Sequence, residues 1–191
     1  MLNRLLNLDR ELLVFLNGLG NETFDAFWIA ATQGTTWIPL FVFFAFLIFR
    51  NYPLKEAWLM IGTAVLLLFA VLGLTLAAKS GFARIRPNEN LQVNRIIRVL
   101  TNPGGFSFFS GHASSSFSLT TLMICYLRNT FSWRYLFIIW PLFFTLSRIY
   151  VGVHYPIDLL VGALVGTLSG LLFYRMYKDV ILPYIQSGHR E

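Results

Sequence analysis

Apolar residues in this chain come in blocks, at roughly residues 27–49, 57–78, 113–127, 133–151 and 157–174. Crossing about 30 Å of hydrocarbon takes about 20 apolar residues at a rise of about 1.5 Å each. The five blocks therefore predict five membrane-spanning helices. The second is the cleanest, running from Ala57 to Ala78 without a charge. The third is short and opens Ala-Ser-Ser-Ser, which predicts first turns facing protein or water instead of lipid. In the fifth, Gly162, Gly166 and Gly170 recur at i, i+4 and i+8, the spacing of a close helix contact. Pro39 and Pro141 fall inside blocks and predict kinks.

Residues 2–17 follow a helical period. Leu2, Leu5, Leu12 and Leu16 form an apolar face opposite Asn3, Arg10 and Asn17. An amphipathic helix lying at the membrane interface is predicted, with a short bundle-capping helix as the alternative. The fold class is all-α: a polytopic membrane helix bundle of about five transmembrane helices plus this N-terminal interfacial helix. It is expected to be a single membrane-embedded domain over 1–191.

Composition supports that pattern. Hydrophobic residues make up 56% of the chain and charged residues 13%, so every ionisable group at the end of an apolar block needs a reason. The net charge of +6 does not point to nucleic acid, because the cations are spread between apolar runs as in loops flanking membrane helices. Anionic lipid head groups and the bilayer itself are the expected partners. Cys125, the one cysteine, lies in an apolar run and reads as a packing residue. Asp9 and Glu11 interrupt the N-terminal segment, which argues against a cleavable signal peptide.

Counting alternations locates the chemistry. With five crossings, the end of the second helix and the start of the third share a membrane face with the end of the fourth and the start of the fifth. Lys79 and Arg86 follow the second helix, and Ser110, Gly111 and His112 open the third. Arg148 and His154 close the fourth, and Asp158 opens the fifth. Hydropathy alone thus gathers three cations, two imidazoles and a carboxylate on one side. Arg50, Lys55, Arg128, Arg134, Arg175, Lys178 and Arg190 lie on the other face, against Arg4, Arg10, Arg84, Arg95 and Arg98 on the site face. That modest bias predicts a site outside the cytoplasm.

Lys79, Arg86 and Arg148 can neutralise the nonbridging oxygens of a phosphoryl group, the arginines bidentately. Taken alone, Lys79 reads equally as a cation snorkelling from a helix end. Ser110-Gly111-His112 reads either as a plain serine cap or as a helix N-terminus that receives an anion. In His154-Tyr-Pro-Ile-Asp158, Pro156 disfavours a helix continuing through Tyr155, so His154 and Asp158 are joined across a helix start. A carboxylate on one imidazole nitrogen fixes the tautomer and leaves the other nitrogen nucleophilic.

These residues resemble, in order and spacing, the signature of the type 2 phosphatidic acid phosphatase superfamily: Lys-x6-Arg-Pro, Pro-Ser-Gly-His, then Ser-Arg-x5-His-x3-Asp. The resemblance spans about 79–158 and departs at Phe109, where the family usually has proline. It implies that His154 is the nucleophile, forming a phosphohistidine, with Asp158 orienting it. It implies that His112 is the general acid and then the base for water. Lys79, Arg86 and Arg148, with Ser110 and the Gly111 amide, become the phosphate cradle. It also implies no metal and no cofactor; Glu89 and Asp158 are the only acids within 79–158, too few for a carboxylate cluster.

The implied protein is a bacterial inner-membrane lipid phosphatase with its site on the periplasmic or extracellular face. Undecaprenyl diphosphate is the first expected substrate, then lipid A or phosphatidylglycerol phosphate, then phosphatidic acid. Vanadium haloperoxidases resemble the same oxyanion pocket but are soluble, which five apolar blocks contradict. A non-catalytic lipid-phosphate carrier or binding protein is the reading of another class, and turnover separates the two.

Overall fold

A computed structural model describes residues 1–183, apart from the Leu2 side chain; Arg190, counted above for orientation, lies outside them. The described residues form helices and connections, with no strand among them. Helix α1 is Leu2–Gly18, α2 Asp25–Ala31, α3 Ile38–Asn51, α4 Leu54–Phe82, α5 Gly111–Tyr126, α6 Ile139–Tyr150 and α7 Pro156–Met176. Short 3-10 turns at Gly34–Trp37 and Ser132–Ile138 lead into α3 and α6.

Among the described residues, three helical stretches are long and apolar enough to cross a bilayer: Gly34–Asn51, Leu54–Phe82 and Pro156–Ile181. They make this an integral membrane protein. The first block does not run straight through 27–49. It breaks after Ala31, and α3 restarts beyond Gly34-Thr35-Thr36 with Pro39 in its first turn. Pro141 likewise sits in the first turn of α6. Each proline thus lies in the first turn of its helix, where its missing N–H breaks no i→i−4 bond within that helix. Helix α6 has 12 residues, shorter than the 133–151 block predicted for it, whereas α5, at 16, matches the short third block.

The centre of the bundle is the contact of α5 with α7. A Cβ built on Gly162 would lie 2.7 Å from the Ser110 carbonyl oxygen, on Gly166 2.3 Å from that of Ser114, and on Gly170 2.6 Å from that of Ser118. Backbone meets backbone there, which only glycine permits. The facing side of α5 is accordingly small and polar: Ala113, Ser114, Ser116, Ser118 and Thr120 are buried. The serines' polarity is absorbed locally, as in Ser116 Oγ donating to the His112 carbonyl at 2.7 Å and Ser118 Oγ to that of Ser115 at 2.9 Å. At the end away from His112, Ile48, Met60, Leu67, Leu122 and Trp140 belong to a larger apolar core joining α3, α4, α5 and α6.

Helix α1 docks by the side expected to be its polar one. Asp9, Leu13 and Asn17 are buried, whereas Leu5, Leu8, Leu12 and Phe15 are exposed. What α1 covers explains this, because the end of α6 presents the carbonyls of Ile149 and Tyr150 to it. Asn17 Nδ2 lies 3.0 Å from the carbonyls of Ile149, Tyr150 and Arg98, and Asn17 Oδ1 accepts from the Arg98 amide at 2.7 Å. Leu13 packs among Val93, Ile149, Tyr155 and Leu159, and Leu5, Leu8 and Leu12 are left facing outward.

Candidate active site

The connection between α6 and α7 carries two of the key side chains. Helix α6 closes with Val153 N donating to the Arg148 carbonyl at 3.1 Å, and Gly152 turns the chain at φ +78°. A side chain there would meet the Arg98 carbonyl at 2.4 Å, so only glycine fits. Tyr155 is extended and Pro156 begins α7, as the His154–Asp158 spacing implied. Asp158 Oδ2 accepts from Tyr155 N at 3.0 Å and faces His154 Nδ1 at 3.4 Å. The far nitrogen, Nε2, lies 3.1 Å from an Arg86 guanidinium nitrogen. Since arginine only donates, Nε2 is the bare nitrogen and Nδ1 carries the proton toward Asp158. Burial, the larger effect, lowers the His154 pKa from 6.5 to about 4 despite its contact with Asp158. His154 is therefore neutral at pH 7.

Arg86 is fixed on three sides, donating also to the Gly105 carbonyl at 2.9 Å and the Val153 carbonyl at 3.2 Å. The connection between α4 and α5 thereby folds over the site, pinned again by Ser107 N on the Arg84 carbonyl at 2.8 Å. Burial pulls the Arg86 guanidinium below its ordinary value, opposed by Glu89 and Asp158. Arg148 is buried in the last turn of α6, and its Nε has no protein partner among the described residues. Lys79, in the last turn of α4, lies in the electrostatic field of Arg86, Arg148 and Asp158.

Ser110 caps α5 through Ala113 N, and its amide donates to the Asp158 carbonyl at 3.0 Å, joining the start of α5 to the start of α7. Gly111 is helical, and a Cβ on it would meet Thr75 at an ordinary 3.4 Å. His112 packs its ring on Phe144, centroids 4.6 Å apart, and its Nε2 lies 3.2 Å from the Thr32 carbonyl. That carbonyl can only accept, so Nε2 holds a proton and Nδ1 is left for exchange. His112 lies in the field of Arg148, His154 and Lys79. All eight residues picked out in the sequence thus converge on one end of the bundle.

Three residues at the site escaped the sequence reading. Thr32, at the break after α2, takes His112 on its carbonyl and Arg148 on its hydroxyl. Arg84 contacts Asp158 Oδ1 at 2.6 Å, and Asp9 receives Arg84 at 2.7 Å. Thr32 lies in an apolar block and Asp9 is 75 residues from Arg84, so no local pattern marks either.

A buried imidazole poised against a carboxylate, a second imidazole and three cations on a membrane helix bundle define a membrane phosphatase. The sequence profile of the PAP2 superfamily matches residues 56–182. A lipid A 4'-phosphatase of Bacteroides thetaiotaomicron is 31% identical over the whole of this chain and 90% of its own length. The undecaprenyl-diphosphatase BcrC of Bacillus subtilis is 32% identical, but over 41% of this chain and 39% of its own. Among solved structures, a PAP2-type phosphatidylglycerolphosphate phosphatase from Bacillus subtilis superposes with a TM-score of 0.74 at 18% identity, covering 93% of this chain and 88% of that one, and shares the fold. The chain belongs to the PAP2 superfamily and is a hydrolase of phosphoester bonds.

Proposed function

We propose that the protein removes a phosphate monoester from lipid A through a phosphohistidine at His154. The observation carrying the chemistry is the relay in which one nitrogen of buried, neutral His154 faces Asp158 and the other faces Arg86. The substrate order read from sequence, with undecaprenyl diphosphate first, gives way to lipid A. Similarity to the lipid A 4'-phosphatase runs the whole chain, α1 included, while similarity to the undecaprenyl-diphosphatase covers under half of it.

Arg86 turns its donor from His154 Nε2 to a phosphate oxygen when substrate enters, baring the nucleophile. Arg148, Lys79 and the Ser110–Gly111 corner hold the remaining oxygens and stabilise charge in the transition state. The ester enters as its monoanion and its proton passes to His112 Nδ1; His154 Nε2 attacks phosphorus, the ester P–O bond breaks, and His112 hands that proton to the leaving lipid oxygen while the Thr32 carbonyl holds the Nε2 proton. Positive charge developing on His154 tightens the 3.4 Å contact with Asp158. His112, now neutral, takes a proton from water as that water attacks the phosphohistidine, releasing inorganic phosphate and restoring His154. The three cations supply the charge neutralisation, so no metal takes part.

Residues 1–191 act as one membrane-embedded domain. Helix α5 and the stretch 132–150 complete five crossings of a bacterial inner membrane, α1 lies at its interface, and the site opens on the periplasmic or extracellular face. A phosphate-release panel of lipid A, undecaprenyl diphosphate, phosphatidylglycerol phosphate and phosphatidic acid, run with chelator present, tests the substrate. Lipid A is expected to turn over fastest with chelator making no difference. Preference for another lipid refutes the substrate, and loss of activity with chelator refutes the metal-free step.

A further inference from the structure

Asp158 sits in the first turn of α7 with two demands on its carboxylate. Its position favours turning back onto the N-terminal amides of its own helix, as it does at Tyr155 N, 3.0 Å from Oδ2. Its work requires that the same oxygen stay on His154 Nδ1, which it reaches at only 3.4 Å. A freely rotating carboxylate satisfies the first demand and neglects the second. What fixes the rotation is on the other oxygen. Arg84 donates to Oδ1 at 2.6 Å, so Oδ2 is the oxygen left for His154.

Arg84 is itself held at three points. Its second terminal nitrogen donates to Asp9 Oδ2 at 2.7 Å, and its guanidinium carbon lies 3.9 Å from the centre of the Tyr155 ring. Asp9 Oδ1 then accepts from the Ile157 amide at 2.9 Å. Asp9 on α1 thus grips both Arg84 and the first turn of α7, the turn that carries Asp158. Both carboxylate side chains are fully buried, and the guanidinium between them is mostly so. Burial works against the Arg84 charge, but Asp158 and Asp9 outweigh it and raise its pKa. Both terminal nitrogens of Arg84 are taken up by carboxylates, which separates it from the phosphate-holding cations.

We infer that Arg84 and Asp9 are positioning residues for the nucleophile: Arg84 sets the rotation of Asp158, Asp9 sets Arg84, and full turnover requires α1 to be seated. This rests on Asp158 orienting His154. The consequence is that a helix expected to serve as a membrane float is a working part of the site.

The test is a mutant cycle measured as single-turnover phosphate release from lipid A in detergent micelles. Arg84→Met is expected to lower kcat on the order of 10–100-fold, the usual effect of losing a group that orients a reacting side chain, with KM little changed. Asp9→Asn, which keeps an oxygen for Ile157 but not the ion pair, is expected to lose less and serves if Arg84→Met does not fold. In an Asp158→Asn background both substitutions are expected to cost nothing further, since they act through that carboxylate. A merely structural role lowers the rate equally in both backgrounds, and that outcome overturns the inference. So does wild-type kcat in both single variants while Asp158→Asn is slow. Wild-type turnover in Asp158→Asn instead removes the relay on which the inference rests. If lipid A gives no turnover even with wild-type protein, the substrate assignment fails, and the same cycle is read on undecaprenyl diphosphate.

Discussion

A single oxygen decides the character of His154. Asp158 Oδ2 fixes the proton on Nδ1, and burial keeps the ring neutral, with a pKa of about 4 against 6.5 in an unfolded chain. The sign follows directly. Between those values the unfolded chain binds a proton that the folded one refuses, so stability is complete above about pH 6.5 and falls as pH drops toward 4. Thermal unfolding from pH 7 to 4 is expected to show that loss, and His154→Gln is expected to flatten it; an equal slope in the variant contradicts a neutral buried His154. Asp158→Asn is expected to fold and to lose about 10⁴ in rate, by analogy with the serine-protease triad, as read by phosphate release beside a circular dichroism spectrum. The eight residues legible in the sequence share a property: each lies within a few positions of another, so the spacing survives in one dimension. Arg84 stood two residues from Arg86 and passed for a topogenic charge. Its meaning depends on Asp9, which only folding brings near.

Helices were easier to place than to orient. The glycine row of α7 declared its contact, because Gly162, Gly166 and Gly170 have few reasons to recur on one face of an apolar helix. Gly166→Ala is expected to cost about 1–3 kcal/mol through overpacking against the Ser114 carbonyl. Gly73→Ala, where an added Cβ meets nothing within 4 Å, is expected to be neutral or stabilising. Comparing the two thermal midpoints in detergent checks this, and equal shifts contradict it. The proline expectation failed because a proline within an apolar block was read as one within a helix. Where a helix restarts at that point, proline belongs to the first turn. Helix α1 leaves Leu5 and Leu12 exposed, and what its other side meets is not legible in the period: carbonyls at the end of α6, the Arg84 guanidinium and an apolar cluster of Val93, Ile149, Tyr155 and Leu159. Asn17→Ala is expected to cost about 1–3 kcal/mol by leaving those carbonyls unsatisfied, as measured by thermal unfolding.

At the scale of the molecule, the buried charges, Asp9, Arg86, Arg148 and Asp158, gather at one end of the bundle. Parity of crossings placed the three charged segments together, and the bundle does bring Lys79, Arg86, His112, Arg148, His154 and Asp158 within one another's field. The same parity makes the face testable: a cysteine at Asn90 is expected to react with an impermeant thiol reagent from outside the cell, and labelling only from the cytoplasm reverses the topology. On the proposed mechanism, the whole molecule passes a phosphoryl group through His154. Rapid quenching of enzyme with lipid A carrying labelled phosphate, followed by peptide mapping, reads that step directly. An acid-labile label on His154, absent in His154→Ala together with turnover, is the expected result. Label on another residue, or turnover persisting in His154→Ala, contradicts it.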